Sequence, residues 1–220
     1  MTDDAGTDDL DALVRRVDPD RWLSSRFIAD PAARADVVAL YAYDHQLGRA
    51  SRVASNPLLA EIRLTWWREA LDEIFGGRPV RRHPTAEALA IAVRRHGLPR
   101  EPLEAMIDAR VRELHDGSGD LLQWAGDSAG SAAVLAAHIL DPKGPADAAR
   151  PAGAAWALAR REGASPDAVR QALTAARAHA RRVSVAAFPA IAHAALAANP
   201  QASELAKRLR LTWAVAWGRI

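Results

Sequence analysis

The stretch Asn56–Ile74 reads NPLLAEIRLTWWREALDEI, and its spacing is that of a helix with a wide apolar surface. Ala60, Leu64, Trp67, Leu71 and Ile74 recur at i, i+4, i+7, i+11 and i+14, and a second row of Leu59, Ile62, Trp66 and Ala70 lies beside them. So broad a surface suits a helix buried within a bundle. Asn56-Pro57 supplies an N-cap and a proline at the first helical position, where a missing N–H costs nothing. Gly76-Gly77 stops the helix.

The same punctuation divides the rest of the chain. Asp18-Pro19, Asp30-Pro31 and Ser165-Pro166 repeat the opening device. Helices are expected over Leu10–Val17, Asp20–Ala29, from Pro31 to about Ser55 with Val37, Leu40, Tyr43 and Leu47 inward, and over Thr85–His96 ended by Gly97. Others follow from Pro99 to Gly117, and over Leu121–Leu140, Ala152–Glu162, Pro166–Val185, Ala190–Ala198 and Ala202–Trp217. That makes roughly nine or ten helices, no convincing strand and no linker long enough to force two domains. The reading is a single all-α domain.

Composition agrees. Half of the 220 residues are apolar, mostly alanine, with seven tryptophans as large anchors. Alanine favours helix because it loses no side-chain entropy. With no cysteine, disulfides and thiolate metal sites are excluded. No membrane span and no secretory leader stand out.

The net charge of +2 is unevenly spread. Residues 1–11 hold five Asp and no base, while from Arg177 onward seven Lys/Arg face only Glu204. A basic end of this kind can meet an anionic membrane, an acidic protein patch or a phosphorylated ligand, or carry solvated arginines. The arginine pairs at 81-82, 94-95, 160-161 and 181-182 come with no nucleic-acid module, so a nucleic-acid partner is not expected. In Ala202–Trp217, Leu205, Leu209, Trp213 and Ala216 or Trp217 line one side and Lys207, Arg208 and Arg210 lie around the rest. Such a helix can lie on an anionic bilayer or dock on its own bundle.

Motifs for chemistry are scarce. None of the seven histidines pairs with another at i+3 or i+4, and HExxH, phosphate-loop and nucleophile-elbow patterns are absent. Glu101, Glu104 and Asp108 share a helix face, but Asp108 also faces Arg112 at i+4, as a surface ion pair would. Glu69, Asp72 and Glu73 sit opposite the Trp67 row and read as solvent-facing.

LYAYDHQLGR (Leu40–Arg49) followed by NPLLAEIRLTWWREAL (Asn56–Leu71) resembles the squalene/phytoene synthase family. DRWLSSRFI (Asp20–Ile28), IDARVREL, WAGDSAGSAAVLAAHIL and AGAAWALARR extend the likeness, more loosely, from Pro19 to Phe188. The resemblance implies a helical bundle of the trans-isoprenyl diphosphate synthase type, with an acidic tail and short helix over residues 1–17 and the domain over 18–220. Active members join two prenyl diphosphates using Mg²⁺ held by two aspartate-rich helices. By that likeness Gly48 and Arg52 stand in the first pair of aspartate places. Ala157 and Arg160 stand where the family has Gln and Asn, and Gly163 and Ala164 stand for the second acids.

The resemblance is to a degenerate branch of the family that includes an assembly factor of respiratory complex I. It therefore implies a pseudoenzyme that needs no cofactor and acts through a protein partner, in the cytoplasm or peripherally at an inner membrane. The competing readings are an Mg²⁺-dependent head-to-head transferase with relocated acids (Asp44, Glu61 and Glu69 facing Glu104 and Asp108), and a binder of an anionic lipid or prenyl phosphate. Tyr41, Tyr43, Asp44, Arg49, Arg52 and Arg68 are the candidate cavity residues, with no catalytic or metal-ligating residue assigned. For the two tyrosines core packing, and for Arg68 a structural salt bridge, are the competing roles.

Overall fold

Capping side chains start the helices where the sequence places them. The computed structural model describes residues 4–52, 56–116 and 120–220. Asp18 accepts from the Arg21 amide (3.2 Å) at the head of α2 (Pro19–Ser25), and Asp30 accepts from the Ala32 amide (3.0 Å) at the head of α3 (Pro31–Arg52). Asn56 accepts from the Leu58 amide (2.9 Å) to open α4 (Pro57–Phe75). Before them α1 (Asp4–Val17) packs on α3 with Leu10 and Val14 buried, and its Asp11 accepts from the Trp22 indole N–H at 2.9 Å.

α5 (Pro84–His96) ends at Gly97, whose φ of +59° is the left-handed conformation that glycine adopts without a Cβ clash. α6 (Arg100–Asp116) follows. α7 (Leu121–Ala125), a π turn over Gly126–Gly130 and α8 (Ser131–Leu140) together form the segment expected as one helix. α9 (Arg150–Ala159), α10 (Pro166–Ala180) and α11 (Glu204–Trp217) complete an all-helical, single-domain bundle.

α3 and α8 form the centre. Every residue from Asp36 to Asp44, and every residue from Ser128 to Ala137, is buried. α3 touches α1, α4, α5, α6 and α8, and is clamped to α5 where Asp36 takes Arg95 at 2.7 Å and His96 at 2.8 Å. Alanine at so many central positions lets helix backbones approach closely. Gly153 of α9 faces the π turn at Ala129 and Gly130 so tightly that no Cβ fits between them.

Four expectations need correction. Ala190–Ala198 is not a helix but a chain of 3₁₀ turns, Phe188–Ala190 and Ala192–Leu196. Ile191, at φ −122° and ψ −8°, leaves helical geometry between the two segments, and i→i+3 bonds such as Ala190 N–H to the Ala187 carbonyl (3.0 Å) and Ala194 N–H to the Ile191 carbonyl (2.9 Å) replace the α pattern. In α4 the first apolar row is buried as expected, but Leu59 and Ile62 of the second row are exposed, because among the described residues no element covers them.

Asp108 pairs not with Arg112 but with Arg68 of α4, while Arg112 reaches Asp127. The facing helices bring these partners closer than the i+4 neighbour. Glu73 is not free in solvent: Arg81 binds it at 2.7 Å and its pKa falls to about 2, first through that side-chain bond and then through the Arg81 amide. Glu69 and Asp72 are exposed, as expected, although Arg81 and Arg100 lie against them.

Candidate functional site

A cavity of about 840 Å³ lies between α2, α3, α6, the π turn and α9. Its wall is charged. Arg21 of α2 is buried, donates to Asp44 of α3 at 2.7 Å, and is also bound to Asp18 through Nε. Its guanidinium lies over two rings, Tyr41 at 4.7 Å and Trp156 at 4.5 Å. Arg110 of α6 takes the other oxygen of Asp44 at 3.1 Å and Glu113 at 3.2 Å. Arg161 also binds Glu113, and both guanidiniums stack on Trp124, at 4.6 and 5.1 Å. Asp20 is shared between Arg160 and Lys207, the latter at 3.1 Å.

So three carboxylates, Asp20, Asp44 and Glu113, each bridge two cations, and Asp18 serves one. Burial alone would raise the Asp44 pKa, but the Arg21 and Arg110 charges and their hydrogen bonds outweigh it and hold the group below its ordinary value. Glu113 follows the same pattern under Arg110 and Arg161. Burial pushes the Tyr41 hydroxyl far up, so it stays protonated. Four donors in this wall have no hydrogen-bond partner: Nη1 of Arg21, Nε of Arg110, the Tyr41 hydroxyl and the Trp156 indole N–H. A buried donor without a partner loses its hydration uncompensated.

His193, in the 3₁₀ segment, closes the floor. It is buried, edge-on to Trp156 at 5.4 Å and to Tyr41 at 6.3 Å. Burial first, then the charges of Arg21 and Arg160, push its pKa well below the ordinary 6.5, so the folded state holds it neutral. The unfolded chain takes up that proton near pH 6.5. Stability is therefore complete above that value and falls as pH drops through it, by up to about 1.4 kcal/mol between pH 7.5 and 5.5. His83, half-buried, shifts in the same direction through burial. Urea unfolding at the two pH values should show the loss, and His193→Gln should remove most of it while the His83 share remains.

Of the six candidate cavity residues, Asp44 lines this cavity and Tyr41 lies under Arg21 in its wall. Tyr43 points elsewhere, donating to the Leu103 carbonyl at 3.0 Å and packing edge-on to Trp67 at 5.2 Å. Arg49 is exposed beside a separate groove of about 380 Å³ lined by Trp66, Trp67 and His83. Arg68 is half-exposed and paired with Asp108. The Arg52 side chain lies outside the described residues. Gly48 is buried.

Sequence reasoning passed over Arg21, Arg110 and Trp156. The available signal was Asp18 and Arg21, three apart at a helix start. Arg160, Arg161 and Gly163 do line the cavity, beside Ala157.

An Mg²⁺ site needs carboxylate oxygens left open to the ion, and this donor set does not fit one. Asp18, Asp44 and Glu113 are spent on guanidiniums, Glu162 of the lining is exposed, and among the described residues no three His, Asp or Glu are placed to hold a metal. The relocated acids do not converge either. Glu61 meets His115 at 3.1 Å, Glu104 meets Arg100 at 2.8 Å, and Asp108 meets Arg68. Among the described residues no helix is long and apolar enough to cross a membrane.

A family model described as squalene/phytoene synthase matches residues 14–161. Among curated proteins the chain is similar to NADH dehydrogenase (ubiquinone) complex I, assembly factor 6, of Bos taurus, at 31% identity over 105 residues, 47% of this chain and 31% of that one. The Homo sapiens counterpart is 30% identical over the same shares. The Dictyostelium discoideum homolog is 23% identical over 154 residues, 67% of this chain and 43% of that one. The match to the first of these spans about a third of the relative's length. Among solved structures, squalene synthase HpnC from Alicyclobacillus acidocaldarius superposes with a TM-score of 0.59 over 97% of this chain and 94% of that one, at 18% identity, a likeness of fold.

Proposed function

We propose that this chain, which belongs to the squalene/phytoene synthase family, is a non-catalytic member that acts as an assembly or chaperone-like factor for a membrane respiratory complex, placed peripherally at the membrane. The observation that carries this reading is the capture of Asp44 between Arg21 and Arg110, at 2.7 and 3.1 Å. Ionising a prenyl diphosphate in a low-dielectric bundle requires metal ions to offset the leaving charge, and free carboxylates to hold them. Here the carboxylate on the cavity face of α3 is neutralised by the protein itself. The similarity to complex I assembly factor 6 supplies the direction of the role.

Two measurements test it. Purified protein given farnesyl diphosphate and Mg²⁺ should release no pyrophosphate above a boiled control, and Mg²⁺-dependent turnover would overturn the non-catalytic reading. Deleting the gene from its own host should lower the amount of assembled NADH dehydrogenase in the membrane. An unchanged amount would overturn the assembly role.

A second reading has an observation of its own. The partnerless donors of Arg21, Arg110 and Trp156 in the cavity wall suit acceptor oxygens, so the cavity could hold an isoprenoid or lipid phosphate without a metal.

A further inference from the structure

α11 carries two apolar faces, and the bundle uses one. Leu211 and Ala214 are buried toward α2 and the 3₁₀ segment, with Lys207 anchored on Asp20. The opposite face points outward. Leu205, Leu209, Trp213 and Trp217, at successive steps of four, are 54% to 69% exposed, so the packing of this row on the bundle that the sequence allowed does not occur. At 100° per residue, these four with exposed Ala206 and Ala216 fill an unbroken apolar arc of about 120°.

Charge frames the arc. Exposed Arg210 borders one side, and exposed Arg208 lies beyond Thr212 on the other. Arg177 donates to the Ile220 carbonyl at 3.1 Å, which brings another exposed base to the same end of the helix. Arg181, Arg182 and Arg219 are exposed as well, and Glu204 is the single acid from Arg177 onward.

We propose that this face of α11 docks flat on an anionic lipid bilayer. Leu205 and Leu209 would enter the acyl boundary, Trp213 and Trp217 would sit at headgroup depth, and the flanking arginines would meet lipid phosphates. Tryptophan suits that depth because its ring is apolar and its N–H is polar. Arginine can bury its stem and keep its charge among the headgroups. A second copy of the chain is a poor occupant, since it would set its own bases against these. The proposal deepens the peripheral placement above and rests on it, but not on the assembly role.

The test is sedimentation of the purified full chain with vesicles of phosphatidylcholine alone, or with about one third phosphatidylglycerol. Binding should require the anionic lipid and weaken as salt rises. Leu209→Glu with Trp213→Glu should cut partitioning at least about tenfold. Its circular dichroism and thermal midpoint should stay unchanged, because both side chains face outward. Arg208→Glu with Arg210→Glu should also lose binding.

Equal binding to both vesicle types, binding by the Leu209/Trp213 variant like that of the parent, or no binding by the parent would each overturn the proposal. So would a parent dimer, seen by ultracentrifugation, that this variant abolishes. The assay contains no respiratory enzyme, so its failure and the failure of the assembly role are separate results.

Discussion

Asp44→Ala should lower the midpoint of thermal unfolding by roughly 10 °C, read by circular dichroism. Asp44, Arg21 and Arg110 are all buried. Removing the carboxylate leaves each guanidinium in this low-dielectric wall with one acid where it had two, Asp18 for Arg21 and Glu113 for Arg110, and breaking a buried pair costs about 3–5 kcal/mol. In a domain of this size each kcal/mol moves the midpoint by about 2–4 °C. Asp44→Asn keeps an acceptor oxygen but not the charge, and should fall between. Adding Arg21→Met to Asp44→Ala should cost less than the sum of the two single changes, because the Arg21–Asp44 bond is lost only once. A double variant as unstable as the sum of its single changes would show that the pair is not coupled.

Gly153→Val should be of similar size, for a steric reason. A Cβ on Gly153 would stand 2.7 Å from the Ala129 carbonyl carbon and 2.9 Å from Gly130 Cα, and closer still to the Ala129 oxygen. These are backbone atoms, so no rotamer change relieves the clash, and overpacking of this kind costs about 3 kcal/mol or more. Gly153→Ala gives the sharper sign. Helix propensity alone favours alanine over glycine by about 1 kcal/mol, so a loose interface would be stabilised and a tight one destabilised. Destabilisation is expected. Gly126→Ala is the control, because nothing lies within 4 Å of the Cβ it would add, and it should be neutral or stabilising.

The architecture was largely legible because its signals are local. Asn56, Asp18, Asp30 and Ser165 before prolines fix helix starts, and the Ala60–Ile74 row fixes a buried face without knowledge of its neighbours. The site was less legible because it is built by pairing across the chain. Arg21 and Asp44 are 23 positions apart, and Arg160 and Asp20 are 140 apart. Nothing in local spacing says which arginine of a basic pair will be drawn inward. Arg160 and Arg161 are held in the cavity wall by Asp20 and Glu113, whereas Arg181 and Arg182 are exposed. Nor could periodicity tell which side of α11 would turn to the core. Leu211 and Lys207 go inward and the longer row of Leu205, Leu209, Trp213 and Trp217 does not.

The π turn at Gly126–Gly130 has a bearing on how far this chain can tolerate changes of length. Such a turn holds one residue more than an α-helical turn, so it takes up an extra residue between α7 and α8. Deleting that extra residue would turn the π turn into an α turn and leave α7 and α8 in nearly the same phase, whereas the same deletion inside α8 would rotate everything before it by about 100°. In the first case the Trp124 ring would stay against Arg110 and Arg161, and in the second it would swing out. A one-residue gap at the π turn is thus compatible with this arginine-lined wall, while one a turn further along α8 is not.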